Sequence, residues 1–201
     1  MIKAIFFDSG NVLVREGYTP GIAEYEEKYG IEKGKLYASA HDRTYWKDFT
    51  LGNITEDEYF QHLKDDFVGE LNITVLKEII YKNFISNDEL LNYIKTLKGK
   101  FILGIISNNP KEWFEYCSST FGWSNLFTVK AVSGYLHIRK PDKLIFQHAL
   151  DSVKVKGSES IYIDDRSDRV SGAKEVNMNI LIYDNVNKLK SDFENLININ
   201  Q

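Results

Sequence analysis

Four short apolar runs, each ending abruptly in polar residues, constrain this chain more than any other feature. Residues 2–7 (IKAIFF) run into Asp8, Ser9, Gly10 and Asn11, and residues 101–106 (FILGII) run into Ser107, Asn108, Asn109 and Pro110. Residues 161–163 end at Asp164 and Asp165, and residues 180–183 at Asp184 and Asn185. Runs of this length bounded by turn-forming residues read as strands buried on both faces. Between them, residues 88–97, 111–121 and 143–150 carry apolar side chains at three- and four-residue spacing, the period of an amphipathic helix. Strands alternating with helices predict an α/β fold with a parallel sheet covered on both faces, in which ligands bind at the carboxyl ends of the strands. The polar strand ends would converge there.

Residues 15–84 depart from the alternation. They read as helices over 22–29, 35–49, 55–67 and 75–83, with Thr55 and Glu58 spaced as a capping box. This stretch is expected to be a helical cap inserted after the first strand, so that residues 1–14 and 85–201 form the core and 15–84 roof the strand ends. A chain of 201 residues suits one domain with such an insertion.

Charge and composition narrow the partners. The 25 basic and 29 acidic residues are spread along the chain, giving a net charge of -4 and no electrostatic footprint for nucleic acid. The N-terminal apolar run is broken by Asp8 and reads as a buried strand, not a signal peptide. No run approaches the roughly 18 apolar residues that span a bilayer, so no membrane partner is expected. The single cysteine, Cys117, excludes an internal disulfide and reads as a small buried hydrophobe. A reducing compartment, the cytoplasm, is the expected location. A monomer and a homodimer both remain open.

The strand-end residues match the needs of phosphoryl transfer. That chemistry takes a nucleophile, a hard cation on oxygen ligands, a further positive charge and a donor to a phosphate oxygen. Asp8 can attack phosphorus, since carboxylates form aspartyl-phosphates. Asp8 with Asp164 or Asp165 can hold magnesium (Mg2+), Lys140 can offset the acidic cluster, and Ser107 can donate to phosphate. Taken singly, each has a plainer reading: Asp8 as a solvated turn residue, Ser107 as a helix cap, Lys140 as a surface lysine. Adjacent aspartates repel one another unless a cation neutralises them.

In order along the chain, FFDSGNVLV, IISNN, RKPD and IYIDDRSDRVSGA resemble the four motifs of the haloacid dehalogenase superfamily, covering nearly the whole sequence. The resemblance implies a Rossmann-like core with a small helical cap inserted just after the first motif. It implies Asp8 as nucleophile and metal ligand, Ser107 and Lys140 as groups orienting the phosphate, and Asp164 and Asp165 around magnesium, Asp165 as the direct ligand. The expected activity is magnesium-dependent hydrolysis of a small phosphorylated metabolite.

Two positions depart from the family pattern. Most of its phosphatases carry a second aspartate two residues after the nucleophile, as general acid-base; here that position is Gly10. A positioned acid-base contributes about 10²–10⁴-fold, so its absence predicts slow turnover, a substrate with an easier leaving group, or a substitute from the cap. Gly10 can still offer its carbonyl to magnesium. The sequence DSGNV and the stretch WKDFTLGNITEDEYF are similar to the sugar-phosphatase branch typified by alpha-D-glucose-1-phosphate phosphatase. The second departure is Arg169, which stands where the family usually has an asparagine.

Several further residues are candidates. Asn11, Arg15 and Asn108 lie beside the motifs and are expected to touch substrate. Tyr45, Trp46 and Phe49 fall at helical spacing, as cap core or as pocket wall. His41 or Asp42 could supply the missing proton, although a histidine in a helix is commonly a surface residue. Two other functions remain in view. One is a carbon-halogen hydrolase, which in this family also lacks the second aspartate but neither needs magnesium nor carries the aspartate pair. The other is a catalytically silent relative that binds a phosphorylated ligand or a protein.

Overall fold

A computed structural model describes residues 1–41, 44–123 and 125–199. Strand β1 (Ala4–Phe7) leads to a two-residue strand β2 (Val14–Arg15), followed by helices α1 (Tyr18–Tyr29), α2 (Lys35–His41), α3 (Thr44–Thr50), α4 (Glu56–Asp66) and α5 (Ile73–Asn83). The chain returns through β3 (Ile85–Ser86), then continues as α6 (Asp88–Leu97), β4 (Ile102–Ser107), α7 (Lys111–Thr120), β5 (Val129–Val132), α8 (Ser133–Leu136) and α9 (Lys143–Val153). It ends with β6 (Ser160–Asp164), α10 (Ser171–Glu175), β7 (Asn179–Ile182) and α11 (Val186–Ile199).

Five strands form a parallel sheet in the order β5-β4-β1-β6-β7, which makes this the α/β architecture that the apolar runs imply. Side chains alternate between its faces. Ile5, Phe7, Leu103, Ile105, Ile161 and Ile163 pack into one apolar cluster, and Ala4, Phe6, Ile106 and Tyr162 into another on the opposite side. Phe6, Phe7, Ile5 and Ile105 are fully buried, each worth about 1.5–3 kcal/mol relative to exposure. The order of the strands reverses at β1, and an open sheet leaves its ligand crevice at such a switch point.

Strand β5 falls where no strand is expected. Its short VKAV segment lies on a sheet edge with Lys130 half-exposed, so it lacks the continuous apolar run that betrays a central strand. The helix expected over 35–49 is described as two pieces, α2 and α3, on either side of residues 42 and 43; Asp42 lies outside the described residues. Helix α4 starts as its capping box predicts. The Thr55 hydroxyl accepts from Glu58 N–H at 3.3 Å, and the Glu58 carboxylate accepts from Thr55 N–H at 2.8 Å.

Helices α1 to α5 connect to the sheet through β2 and β3, which pair antiparallel with Val14 opposite Ser86 and Arg15 opposite Ile85. A second junction lies farther along. The Ser133 hydroxyl donates to the Thr50 carbonyl at 2.5 Å, and Arg139 Nη1 donates to Thr50 Oγ1 at 3.0 Å. Beside it, Gly52 adopts a φ of 71°, and a Cβ there would lie 2.1 Å from the Gly134 carbonyl oxygen. Only glycine fits so close a backbone approach in this left-handed conformation. The buried Glu26 carboxylate accepts the N–H groups of Gly34 at 2.8 Å, Leu36 at 2.8 Å and Tyr37 at 3.1 Å, fixing the start of α2.

Cys117 lies buried in α7, as its composition-based reading predicts. Burial pushes its thiol up to about 12. The native protein is therefore expected to react with an alkylating agent roughly 10³-fold more slowly than a free thiol near neutral pH, which mass spectrometry of native against denatured protein measures. No helix among the described residues is long and apolar enough to cross a membrane.

Candidate active site

Register delivers the polar residues to one place. Phe7 pairs with Ile105 on one side and Ile163 on the other, so Asp8 emerges level with Ile106 and Asp164, and Ser107 and Asp165 lie one residue further along. Asp8 N–H donates to the Ile163 carbonyl at 2.8 Å, carrying the strand pairing to the edge of the site. One oxygen from each of Asp8, Asp164 and Asp165 lies within 4.8 Å of the others.

Lys140 lies beneath these carboxylates. Its side chain is fully buried, with Nζ 2.9 Å from Asp8 Oδ2, 2.7 Å from Asp164 Oδ2 and 2.6 Å from the Tyr162 hydroxyl. The Tyr162 hydroxyl also donates to Asp164 Oδ2 in a short hydrogen bond. Asn108 clamps the backbone of Lys140: its Oδ1 accepts from Lys140 N–H at 2.7 Å, and its Nδ2 donates to the Lys140 carbonyl at 2.9 Å. The Ser107 and Ser9 hydroxyls share a hydrogen bond of 2.6 Å, and Asn109 Nδ2 donates to Ser9 Oγ at 3.3 Å.

The three carboxyls experience different surroundings. Burial opposes the charge of Asp164, but the Lys140 ammonium, the Tyr162 hydroxyl and the Arg166 N–H outweigh it and hold the group below the usual carboxylate range. Asp8 is raised by burial, which Lys140 only partly offsets and the charge of Asp164 reinforces. Burial, with the charges of Asp8 and Asp164, pushes Asp165 up to about 6. This crowding of negative charge is what a cation relieves. The donors are all oxygens, and Asp165 borders the cavity while Asp164 is fully enclosed. Two carboxylates facing the cavity, Asp8 and Asp165, fit magnesium, which takes one or two carboxylates and keeps its waters.

Above the carboxylates lies a cavity of about 210 Å³, bordered by Asp8, Gly10, Asn11, Ser107, Asn108, Asn109, Asp165, Arg166 and Arg169 from the sheet side. Tyr18, Tyr37, His41, Trp46 and Thr50 border it from the helical segment, along with Phe84 and Trp113. The ring of Tyr18 stacks on Trp46, with centroids 4.3 Å apart and planes at 20°. Trp113 Nε1 donates to Glu56 Oε1 at 2.6 Å.

Asp8, Gly10, Asn11, Ser107, Asn108, Lys140, Asp164 and Asp165 thus lie together at the strand ends. Arg15 is not: it is exposed, its Nη2 donates to the Asn83 carbonyl at 3.5 Å, and it lies outside the cavity. Of the aromatic trio, Trp46 reaches the cavity. Phe49 is fully buried against Tyr59, and the Tyr45 hydroxyl donates to the Ser39 carbonyl at 2.6 Å. Ser9, Asn109 and Tyr162 were not singled out by sequence reasoning. Tyr162 stands between Ile161 and Ile163 in an apolar run, and nothing in that run signals that its hydroxyl ends at Lys140.

Three carboxylates at the switch point of a Rossmann-like sheet, with a buried lysine beneath them, form the centre of an enzyme of the kind that the four motifs resemble. The family profile of haloacid dehalogenase-like hydrolases matches residues 2–177. The chain belongs to that family. It is 24% identical over 196 residues to flavin mononucleotide hydrolase 1 of Arabidopsis thaliana, covering 97% of this chain and 78% of that protein. It is 26% identical over 184 residues to D-ribitol-5-phosphate phosphatase of Bacteroides thetaiotaomicron, covering 88% and 89%. Against drimenol cyclase drtB of Aspergillus calidoustus, 22% identical over 204 residues, it spans only 37% of the longer protein. Among solved structures, a haloacid dehalogenase family enzyme of Bacteroides thetaiotaomicron in complex with magnesium and inorganic phosphate superposes with a TM-score of 0.72 at 17% identity, covering 92% of this chain and 95% of that one.

Proposed function

We propose that this protein is a magnesium-dependent phosphatase that hydrolyses a small phosphorylated metabolite, a sugar phosphate among the candidates, through an aspartyl-phosphate on Asp8. The observation that carries this reading is the meeting of Asp8, Asp164 and Asp165 oxygens within 4.8 Å above a buried Lys140. Relatives named as a flavin mononucleotide hydrolase and a ribitol-5-phosphate phosphatase support a phosphate ester as substrate.

Asp8, Asp165 and the Gly10 carbonyl would hold magnesium, with Asp164 behind them. When bound, the metal supplies charge neutralisation to the phosphate. Asp8 attacks phosphorus while Ser107 and Asn108 donate to phosphate oxygens and Lys140 holds the carboxylate in line. Residues 15–84, read as a cap, close the cavity and exclude water from the aspartyl-phosphate until the leaving group departs. The Asp164–Asp165 pair favours this chemistry over carbon-halogen hydrolysis, which needs no cation.

Incubation with an aryl phosphate and a panel of sugar phosphates tests the reading. Phosphate release is expected with magnesium and should fall by at least about 10²-fold with a chelator, the loss of several kcal/mol of charge stabilisation. Halide release from a 2-haloacid without metal, or silence on every ester, would defeat it.

A further inference from the structure

Position 10 lacks the proton-transfer group, and another carboxylate stands next to that position. A Cβ built on Gly10 would meet the Glu16 Cβ at 4.0 Å and nothing closer. Glu16 follows β2 and borders the same cavity as Asp8. Its N–H donates to Asn11 Oδ1 at 3.3 Å, tying it to the loop that carries Asp8. Its Oε2 accepts the Tyr18 and Thr19 N–H groups at 2.9 and 3.1 Å, which orients the carboxylate at the start of α1. Among the described residues, Oε1 accepts no hydrogen bond. His41 borders the cavity as well, with its ring stacked on Tyr37 at a centroid distance of 5.0 Å and 5.2 Å from that of Trp46.

We propose that Glu16 is the general base of the second half-reaction, in the place of the aspartate absent from position 10. The assignment rests on the phosphatase reading above. Water attacks the phosphorus of the aspartyl-phosphate, and Glu16 takes its proton. The bond from phosphorus to Asp8 breaks, its electron pair returns to the carboxylate, inorganic phosphate leaves, and Glu16 passes the proton to solvent. The sequence alone did not single out Glu16, because its link to position 10 is spatial and not a motif.

Glu16→Gln removes the base but keeps an oxygen to accept the Tyr18 and Thr19 N–H groups. With magnesium and an aryl phosphate, whose leaving oxygen needs little protonation, this variant should release one equivalent of aryl alcohol per site in a burst. Steady turnover should then run about 10²–10⁴-fold slower than in the wild type, and intact-mass analysis should find a phosphoryl adduct. Adding Gly10→Asp to the same chain should remove the burst and restore turnover, because a Cβ at position 10 meets no atom closer than 4.0 Å. If Glu16→Gln does not fold, Glu16→Asp, which draws the carboxylate back by one methylene, is read by the same burst. A Glu16 variant that turns over like the wild type, or slowly without burst or adduct, overturns the proposal, as does a burst produced by His41→Asn instead. A wild type that releases no phosphate from any ester would remove the phosphatase reading itself, which separates the two failures.

Discussion

Asp8→Asn should abolish phosphate release, lowering kcat by about 10⁴-fold or more, the scale seen when a covalent nucleophile is removed. Asparagine keeps the shape of the side chain and the oxygen that accepts Ser9 N–H at 2.7 Å. It cannot form an acyl phosphate. The same change removes one charge from a crowded trio of carboxylates, and Lys140 keeps Asp164 as partner at 2.7 Å. The variant should therefore fold while losing activity, with its thermal midpoint lowered by less than that of Lys140→Met, since Lys140 loses one carboxylate partner and keeps the other. Phosphate release within tenfold of the wild type would show that another group attacks phosphorus.

Lys140→Met should act on both stability and turnover. The ammonium is buried with Asp8, Asp164 and the Tyr162 hydroxyl as its partners. Removing one partner of a buried ion pair leaves an uncompensated charge and typically costs about 3–5 kcal/mol. A denaturant titration should show that loss, and phosphate release should be lost as well. Combining Lys140→Met with Asp8→Asn should destabilise by less than the sum of the two, because one of the stranded carboxylates is then neutral. An unchanged denaturation midpoint for Lys140→Met would mean that the carboxyls beneath the cavity are already protonated in the native state.

What the sequence made legible follows from burial. The runs at 2–7, 101–106, 161–163 and 180–183 are apolar because the strands there are covered on both faces, and the acids at their ends stand out by contrast. Parallel pairing then brings Asp8, Ser107 and the Asp164–Asp165 pair to one sheet edge, as the order of the motifs implies. Strand β5, on the edge and interrupted by Lys130, carried no such contrast. Tyr162 was concealed for the opposite reason: a tyrosine inside an apolar strand looks like core, and only packing turns its hydroxyl to Lys140 and Asp164. Arg15 is near the first motif in sequence, yet in strand β2 its side chain is exposed and reaches the Asn83 carbonyl. Glu16, the next residue, borders the cavity.

The narrow neck formed by β2 and β3 bears on how such a protein can diversify. The chain passes into the helical segment at Arg15 and comes back at Ile85, and these residues pair as neighbours in a two-residue ladder. Chain ends held side by side allow an intervening segment to be exchanged or lengthened at modest entropic cost, since closure cost grows only slowly with loop length. The five-stranded sheet, with Asp8 and Lys140 at its edge, lies outside that excursion. A helical segment of another length can therefore be carried on the same neck while Asp8, Asp164, Asp165 and Lys140 keep their places, and one that replaces residue 16 also removes Glu16 from the cavity.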